Sequence, residues 1–245
     1  MIRFLIVCLT VIGFLILAIP VMLAEWIIGK FSPDLKSRRS LKIVNAAFSL
    51  ILWETGVKIT VLGEENVPKD TPVLYVANHR SFFDILVTYV RVPRPTGYIA
   101  KKEMEKIPLL STWMRYLHCL FMDRSDIKKG LQTILDGIEK LKNGISICIF
   151  PEGTRNKGEE GSLLPFKEGS FKMASKSGCP ILPVAINNTA DIWEAHFPTI
   201  KKTHIVIEYG EPIIIKDLPK EQQKFIGAYC QEQIAAMLKK NAELL

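Results

Sequence analysis

The 245-residue sequence contains no CxxC pair and no Cys/His spacing suited to a metal. Its five cysteines, Cys8, Cys119, Cys148, Cys179 and Cys230, are odd in number and widely spaced. This excludes a zinc or disulfide framework and points to reduced, buried thiols in a cytoplasmic domain. No G-x-S-x-G elbow is present: Ser162, Ser170 and Ser177 all lack the flanking pattern, which argues against a serine hydrolase. There is no internal repeat and no low-complexity tract, so a solenoid is excluded. Histidine is scarce, with four in the chain. Charge is missing altogether from Phe4 to Ala24, where only Thr10, Gly13 and Pro20 interrupt the apolar residues.

That uncharged run is long enough to cross a bilayer core, which needs roughly 20 apolar residues as helix. Met22-Leu23-Ala24 makes a poor cleavage site, so the run is expected to be a retained membrane anchor and not a cleaved signal. The chain carries a net charge of +7, and Lys30, Lys36, Arg38, Arg39 and Lys42 follow the run closely. Basic residues beside a membrane segment each attract anionic headgroups by about 1 kcal/mol. They also assign that flank to the cytoplasm. Membrane lipid, not nucleic acid, is therefore the expected partner of the positive charge. A plain solvated loop is the alternative reading of the cluster. Ser32-Pro33-Asp34 is expected to end the first helix, and apolar residues from Ser40 to Trp53 recur at helical spacing. Two arrangements stay open: a full span, or a hairpin of Phe4–Ile28 and Ser40–Trp53 in one leaflet, which is preferred.

From Val57 onward, short β-branched runs alternate with helical stretches. Strands are expected at 57–62, 72–77, 98–100, 120–122, 145–150, 181–186 and 204–209, with a last short one at 213–215. Helices are expected near 82–90, 109–117, 127–141, 170–176 and 220–240. The fold class is α/β: a mixed, mostly parallel sheet flanked by helices, after an N-terminal membrane-associated helical segment. The division is residues 1–56 for anchoring and 57–245 for the α/β domain. Pro183, inside a strand-like run, suggests an edge strand or a bulge. Residues 155–162 read as a polar, mobile loop.

The stretch VANHRSFFDIL, Val76 to Leu86, puts His79 in a turn after a strand and Asp84 in the first turn of a helix that Ser81 is suited to cap. Functional side chains gather at carboxyl ends of strands in such sheets. A carboxylate that holds one imidazole nitrogen leaves the other free to take a proton. Taken alone, the spacing is weak, and an aspartate that complements the helix dipole beside an unrelated histidine is the better reading of it. A second strand ends in FPEGTRN. Gly153 permits a tight turn there. Arg155 offers a planar fork for phosphate, and Glu152 is suited to an acceptor hydroxyl or to holding Arg155.

In order, NHRSFFD, IAKKEMEKIP with LFMDRSD, FPEGTRN with PFKEGSF, and ILPVAI resemble the glycerolipid acyltransferase family. The resemblance is nearest to the 1-acyl-sn-glycerol-3-phosphate acyltransferases and covers about residues 57–215. It implies that His79 is the catalytic base and Asp84 its orienter. It implies that Glu152, Gly153, Thr154 and Arg155 bind the glycerol-phosphate part of the acceptor. It implies Arg124 in acceptor binding, Lys167 as an additional phosphate contact, and Lys101 (beside Lys102) as a further substrate contact. One departure is His118-Cys119, where a glycine often stands.

The implied reaction moves an acyl chain from coenzyme A or acyl carrier protein, as thioester co-substrate, to the 2-hydroxyl of lysophosphatidic acid. It has no metal, no cofactor and no covalent enzyme intermediate. Backbone N–H groups of residues 78–84 are expected to meet the oxyanion. The implied location is the cytoplasmic face of a bacterial inner membrane. Another lysophospholipid, glycerol 3-phosphate or an amino-acid lipid is the alternative acceptor. A non-catalytic lipid-binding adaptor is the alternative class.

Overall fold

Seven short strands form one twisted sheet between two helical layers in a computed structural model that describes residues 1–245. Helices α1 (Ile2–Leu17), α2 (Ile19–Phe31) and α3 (Pro33–Thr55) come first. There follow β1 (Lys58–Leu62), β2 (Leu74–Ala77), α4 (Phe83–Tyr89), β3 (Thr96–Lys101), α5 (Leu110–Tyr116) and β4 (Leu120–Met122). The chain continues with α6 (Ile127–Lys142), β5 (Ser146–Ile149), α7 (Lys172–Ser177), β6 (Ile181–Asn187) and β7 (His204–Tyr209). It ends with α8 (Lys220–Lys224) and α9 (Ile226–Asn241). The strand order is β1-β7-β6-β2-β5-β3-β4. Only β6 and β7 pair antiparallel.

Alternation within the central strands decides which layer each residue joins. Tyr75, Ala77, Cys148, Leu182 and Val184 pack with Leu41 and Val44 of α3, Phe83 of α4 and Trp113 of α5. Leu74, Val76, Ile147, Ile149 and Ile181 pack on the other side, with Ile134 of α6, Met173 of α7 and Ile234 of α9. Each fully buried aliphatic side chain contributes about 1.5–3 kcal/mol. A one-residue slip would exchange these layers, so the pattern fixes the register.

Several expectations are corrected. The apolar run is not one helix: α1 and α2 meet at Ala18 with a bend of 48°. Pro20 lies in the first turn of the second piece, where its missing N–H costs nothing. No single helix is long and apolar enough to cross a membrane. The basic residues Lys36, Arg38, Arg39 and Lys42 lie within α3, which begins at Pro33 and not near Ser40. Residues 213–215 form no strand, only an isolated bridge between Ile181 and Ile213.

Pro183 stands in an interior strand, not an edge. Its carbonyl accepts from Gly210 N–H, one position beyond the last β6–β7 pair, Val184 with Tyr209. In extended chain a residue's N–H and C=O point to the same side. The missing donor therefore falls where the ladder has already ended. Residues 220–240 split at Phe225 into α8 and α9.

His118 takes φ 62, the left-handed conformation that suits glycine. Its Nε2 lies 2.7 Å from Ser37 Oγ of α3. The Ser37 hydroxyl itself donates to Pro33 O, so His118 Nε2–H is the donor. The departure at this position thus ties α5 to the N-terminal helices.

Candidate active site

His79 and Glu152 follow the carboxyl ends of adjacent parallel strands, β2 and β5. His79 Nδ1 lies 2.8 Å from Asp84 Oδ2. That oxygen also accepts from the N–H groups of Arg80 at 2.7 Å and Ser81 at 2.8 Å. Oδ1 accepts a short hydrogen bond from Thr189 Oγ1. Asp84 is fully buried. With Oδ2 already accepting from two backbone N–H groups, Nδ1 is the donor to it, and Nε2 presents its lone pair. The imidazole stacks on Phe150, with ring centres 4.1 Å apart. Orientation and tautomer are thereby both fixed.

Glu152, expected at the substrate or holding Arg155, has both carboxylate oxygens engaged by the main chain. It is buried, and its two oxygens accept from His79 N–H at 2.7 Å and Leu164 N–H at 2.9 Å. Burial raises its carboxyl above the ordinary range, opposed by those two N–H groups. Asn156 N–H donates to His79 O at 2.7 Å, a second tie between the two turns. Gly153 takes φ 74, and a Cβ there would lie 2.6 Å from Lys167 Nζ. This glycine therefore serves both the turn and the approach of Lys167.

Of the seven N–H groups at 78–84 expected to meet the oxyanion, five are already engaged. His79 N–H goes to Glu152, and those of Arg80 and Ser81 go to Asp84. Phe82 N–H donates to Glu194 and Phe83 N–H to Ser81 Oγ. None of the five is free to meet an oxyanion.

Arg155 lies over the Phe82 ring at 4.0 Å and contacts Glu194 Oε1 at 3.2 Å. With Phe82, Trp193, Phe197 and Lys157 it lines a cleft of about 680 Å³. The 155–162 loop is tied to Arg80 at three points. Arg80 Nη1 and Nη2 donate to the carbonyls of Glu159 and Gly158, and its Nε lies 2.9 Å from Glu160 Oε2.

His79, Asp84, Glu152, Gly153 and Arg155 thus come together, with Lys167 joined through Gly153. Thr154 is exposed on the same turn. Lys101 and Arg124 are exposed at the ends of β3 and β4, two and three strands from β2 along the same edge. The middle-block ion pair is made by the neighbours of those two residues, Lys102 and Asp123, at 2.6 Å. Sequence reasoning missed Asn78, Thr189 and Glu194. Asn78 exchanges two hydrogen bonds with the backbone of Ile186 in β6, each at 2.8 Å.

A His–Asp pair with one ring nitrogen free, beside an arginine-lined cleft at the carboxyl edge of the sheet, is suited to taking a proton from a hydroxyl in group transfer. A family model described as acyltransferase matches residues 58–187. The chain belongs to the acyltransferase family.

It is 31% identical over 201 residues to a 1-acyl-sn-glycerol-3-phosphate acyltransferase of Borreliella burgdorferi, with 82% of this chain and 80% of that one covered. It is 33% identical over 172 residues to the protein of that name from Salmonella typhimurium, covering 70% and 67%. For the one from Saccharomyces cerevisiae the identity is 31% over 185 residues, covering 75% and 61%. Among solved structures, the 1-acyl-sn-glycerophosphate (LPA) acyltransferase PlsC from Thermotoga maritima superposes with a TM-score of 0.80. The two are 28% identical, with 98% of this chain and 96% of that one covered.

Proposed function

We propose that this acyltransferase moves an acyl chain from a thioester to the 2-hydroxyl of lysophosphatidic acid, giving phosphatidic acid. The observation that carries the reading is His79: its Nδ1 is held by a buried carboxylate and its Nε2 is left with a lone pair. Nε2 takes the hydroxyl proton as the oxygen attacks the thioester carbonyl. The tetrahedral oxyanion collapses, the carbon–sulfur bond breaks, and the proton passes from His79 to the departing thiolate. The acyl group never rests on the enzyme. With residues 79–83 fully engaged, the oxyanion meets donors from outside that turn.

Arg155 binds the acceptor phosphate and so holds the hydroxyl at His79, a proximity effect. Gly153 and Thr154 shape that turn, and Lys167 adds positive charge beside it. Lys101 and Arg124 lie on the side of the edge away from Arg155, where they suit the phosphates of the donor. The donor is acyl-coenzyme A or acyl carrier protein, and the reaction needs no cofactor.

Residues 1–56 anchor the α/β domain to the membrane. Helices α1 and α2 expose Leu5, Leu9, Ile12, Leu17, Leu23 and Trp26, a surface that monomeric soluble proteins rarely leave open. Helix α1 has 16 residues and so spans about 24 Å, short of the roughly 30 Å core. The bent pair therefore lies in one leaflet, with the basic residues of α3 at the cytoplasmic headgroups.

The test is a transfer assay on a panel of lysolipid acceptors with both thioester donors. Lysophosphatidic acid is expected to give the highest kcat/KM. Arg155→Ala is expected to raise its KM by about 10-fold or more while the donor KM moves little, as loss of a charge-assisted phosphate contact implies. Equal effects on the two substrates would remove Arg155 from the acceptor site.

A further inference from the structure

Glu194 is the one carboxylate that contacts Arg155, and the proposed reaction gives it no role. It lies in a 3-10 turn at Glu194–His196, after β6. Its Oε1 accepts from Phe82 N–H at 2.8 Å and from Arg155 Nη1 at 3.2 Å. Its Oε2 accepts from Ser81 Oγ at 2.7 Å. The carboxylate therefore joins three things: the guanidinium, the turn that carries His79 and Asp84, and the start of α4. Trp193 beside it stacks on Phe4 of α1, with ring centres 5.7 Å apart, which seats the turn on the N-terminal helix.

We infer that Glu194 is a positioning residue and counter-charge for Arg155, with which an anionic acceptor headgroup competes. It engages Nη1, while the other donors of this cleft-lining guanidinium make no hydrogen bond to the protein. An arriving phosphate meets a fork already held flat on Phe82. It also meets a negative charge that competes for that fork, so the affinity is lower than a lone arginine would give. Substrate and product carry the same phosphate. A competitor for Arg155 weakens both, and the product leaves faster for it. The ion pair is partly exposed, with Arg155 34% and Glu194 21% accessible, so the effect is modest in size.

The inference rests on Arg155 as the phosphate ligand, and a four-variant experiment separates the two claims. KM for lysophosphatidic acid and for the acyl thioester are measured for the wild type, Glu194→Gln, Arg155→Ala and the double variant. Glutamine is isosteric. Its oxygen still accepts from Phe82 N–H and its amide can donate to Ser81 Oγ, so the fold is kept while the charge is lost. Glu194→Gln is expected to lower the acceptor KM by about two- to fivefold, the scale of one partly exposed ion pair. It is expected to leave the donor KM unmoved and to have no effect on acceptor KM in the Arg155→Ala background. Glu194→Ala, which also loses the Ser81 and Phe82 bonds, is expected to lower kcat in addition.

An unchanged or raised acceptor KM in Glu194→Gln, with Arg155→Ala still impaired for the acceptor, overturns the inference alone. So does a Glu194→Gln effect that persists without Arg155. An Arg155→Ala variant with normal acceptor KM overturns both claims.

Discussion

Glu152 shows how a motif carboxylate can be taken up by the turns around it. Both oxygens are held by main-chain donors, one from His79 and one from Leu164. Glutamine offers one oxygen and turns an amide donor against the other N–H. We predict that Glu152→Gln lowers stability by about 1–3 kcal/mol, the scale of an unmet buried polar group. It should lower kcat as the His79 turn loosens, with the acceptor KM within about twofold. Chemical denaturation and steady-state kinetics on one preparation check this. A large rise in acceptor KM at unchanged stability would return Glu152 to the substrate.

The His79–Asp84 pair was legible because its partners lie five residues apart across a strand-to-helix turn. Thr189 and Glu194 were not. They reach the same turn from 105 and 112 residues away, and only the packing of β6 beside β2 brings them there. The engagement of every N–H from His79 to Phe83 was hidden for the same reason.

Strand positions were largely readable because β-branched runs in a two-layered sheet have few other places to go. Helix limits were less so where packing overrode local signals. Lys36 to Lys42 looked like a charged connection, yet Pro33 at the first turn starts α3 early, and α3 buries Leu41, Val44, Ile51 and Leu52. Pro183 looked like an edge residue because the end of the β7 ladder cannot be seen locally.

The α3–α5 contact through His118 carries a pH dependence. Burial, with the nearby Lys140 and Lys36 charges, lowers His118 to about 4 from an ordinary value near 6.5. The unfolded chain therefore binds this proton first. Stability from this group is complete above about pH 6.5 and is lost as pH falls toward 4, by on the order of 2–3 kcal/mol. We predict that His118→Gln, which keeps a donor for Ser37, flattens this part of the stability profile. Thermal melts between pH 4 and pH 7 measure it. An identical slope in both proteins would assign the acid sensitivity elsewhere.

At the scale of the whole molecule, the N-terminal helices share a core with the sheet while their outer faces stay apolar. Phe14 stacks on Trp113, Thr10 donates to Glu54 at 2.6 Å, and Arg39 pairs with the buried Glu25 at 2.8 Å. The N-terminal helices are thus joined to the α/β domain through shared packing, so the proposed anchoring would fix the orientation of the cleft at a bilayer. Phe82 and Phe197, at the cleft, are exposed beside this face. Leu9 and Leu17 are 70% and 79% exposed, so aspartate at both leaves the core intact. We predict that the double variant weakens flotation with anionic vesicles by about tenfold or more. Binding equal to wild type would locate the membrane contact on another surface.

The central claim is that His79 Nε2 is the base that makes a lipid hydroxyl attack a thioester. Its most direct test is single-turnover transfer to lysophosphatidic acid by full-length His79→Ala on vesicles, reading released thiol and phosphatidic acid together. A fall of about 100- to 10,000-fold is expected, with vesicle binding retained. Transfer at the wild-type rate would contradict it.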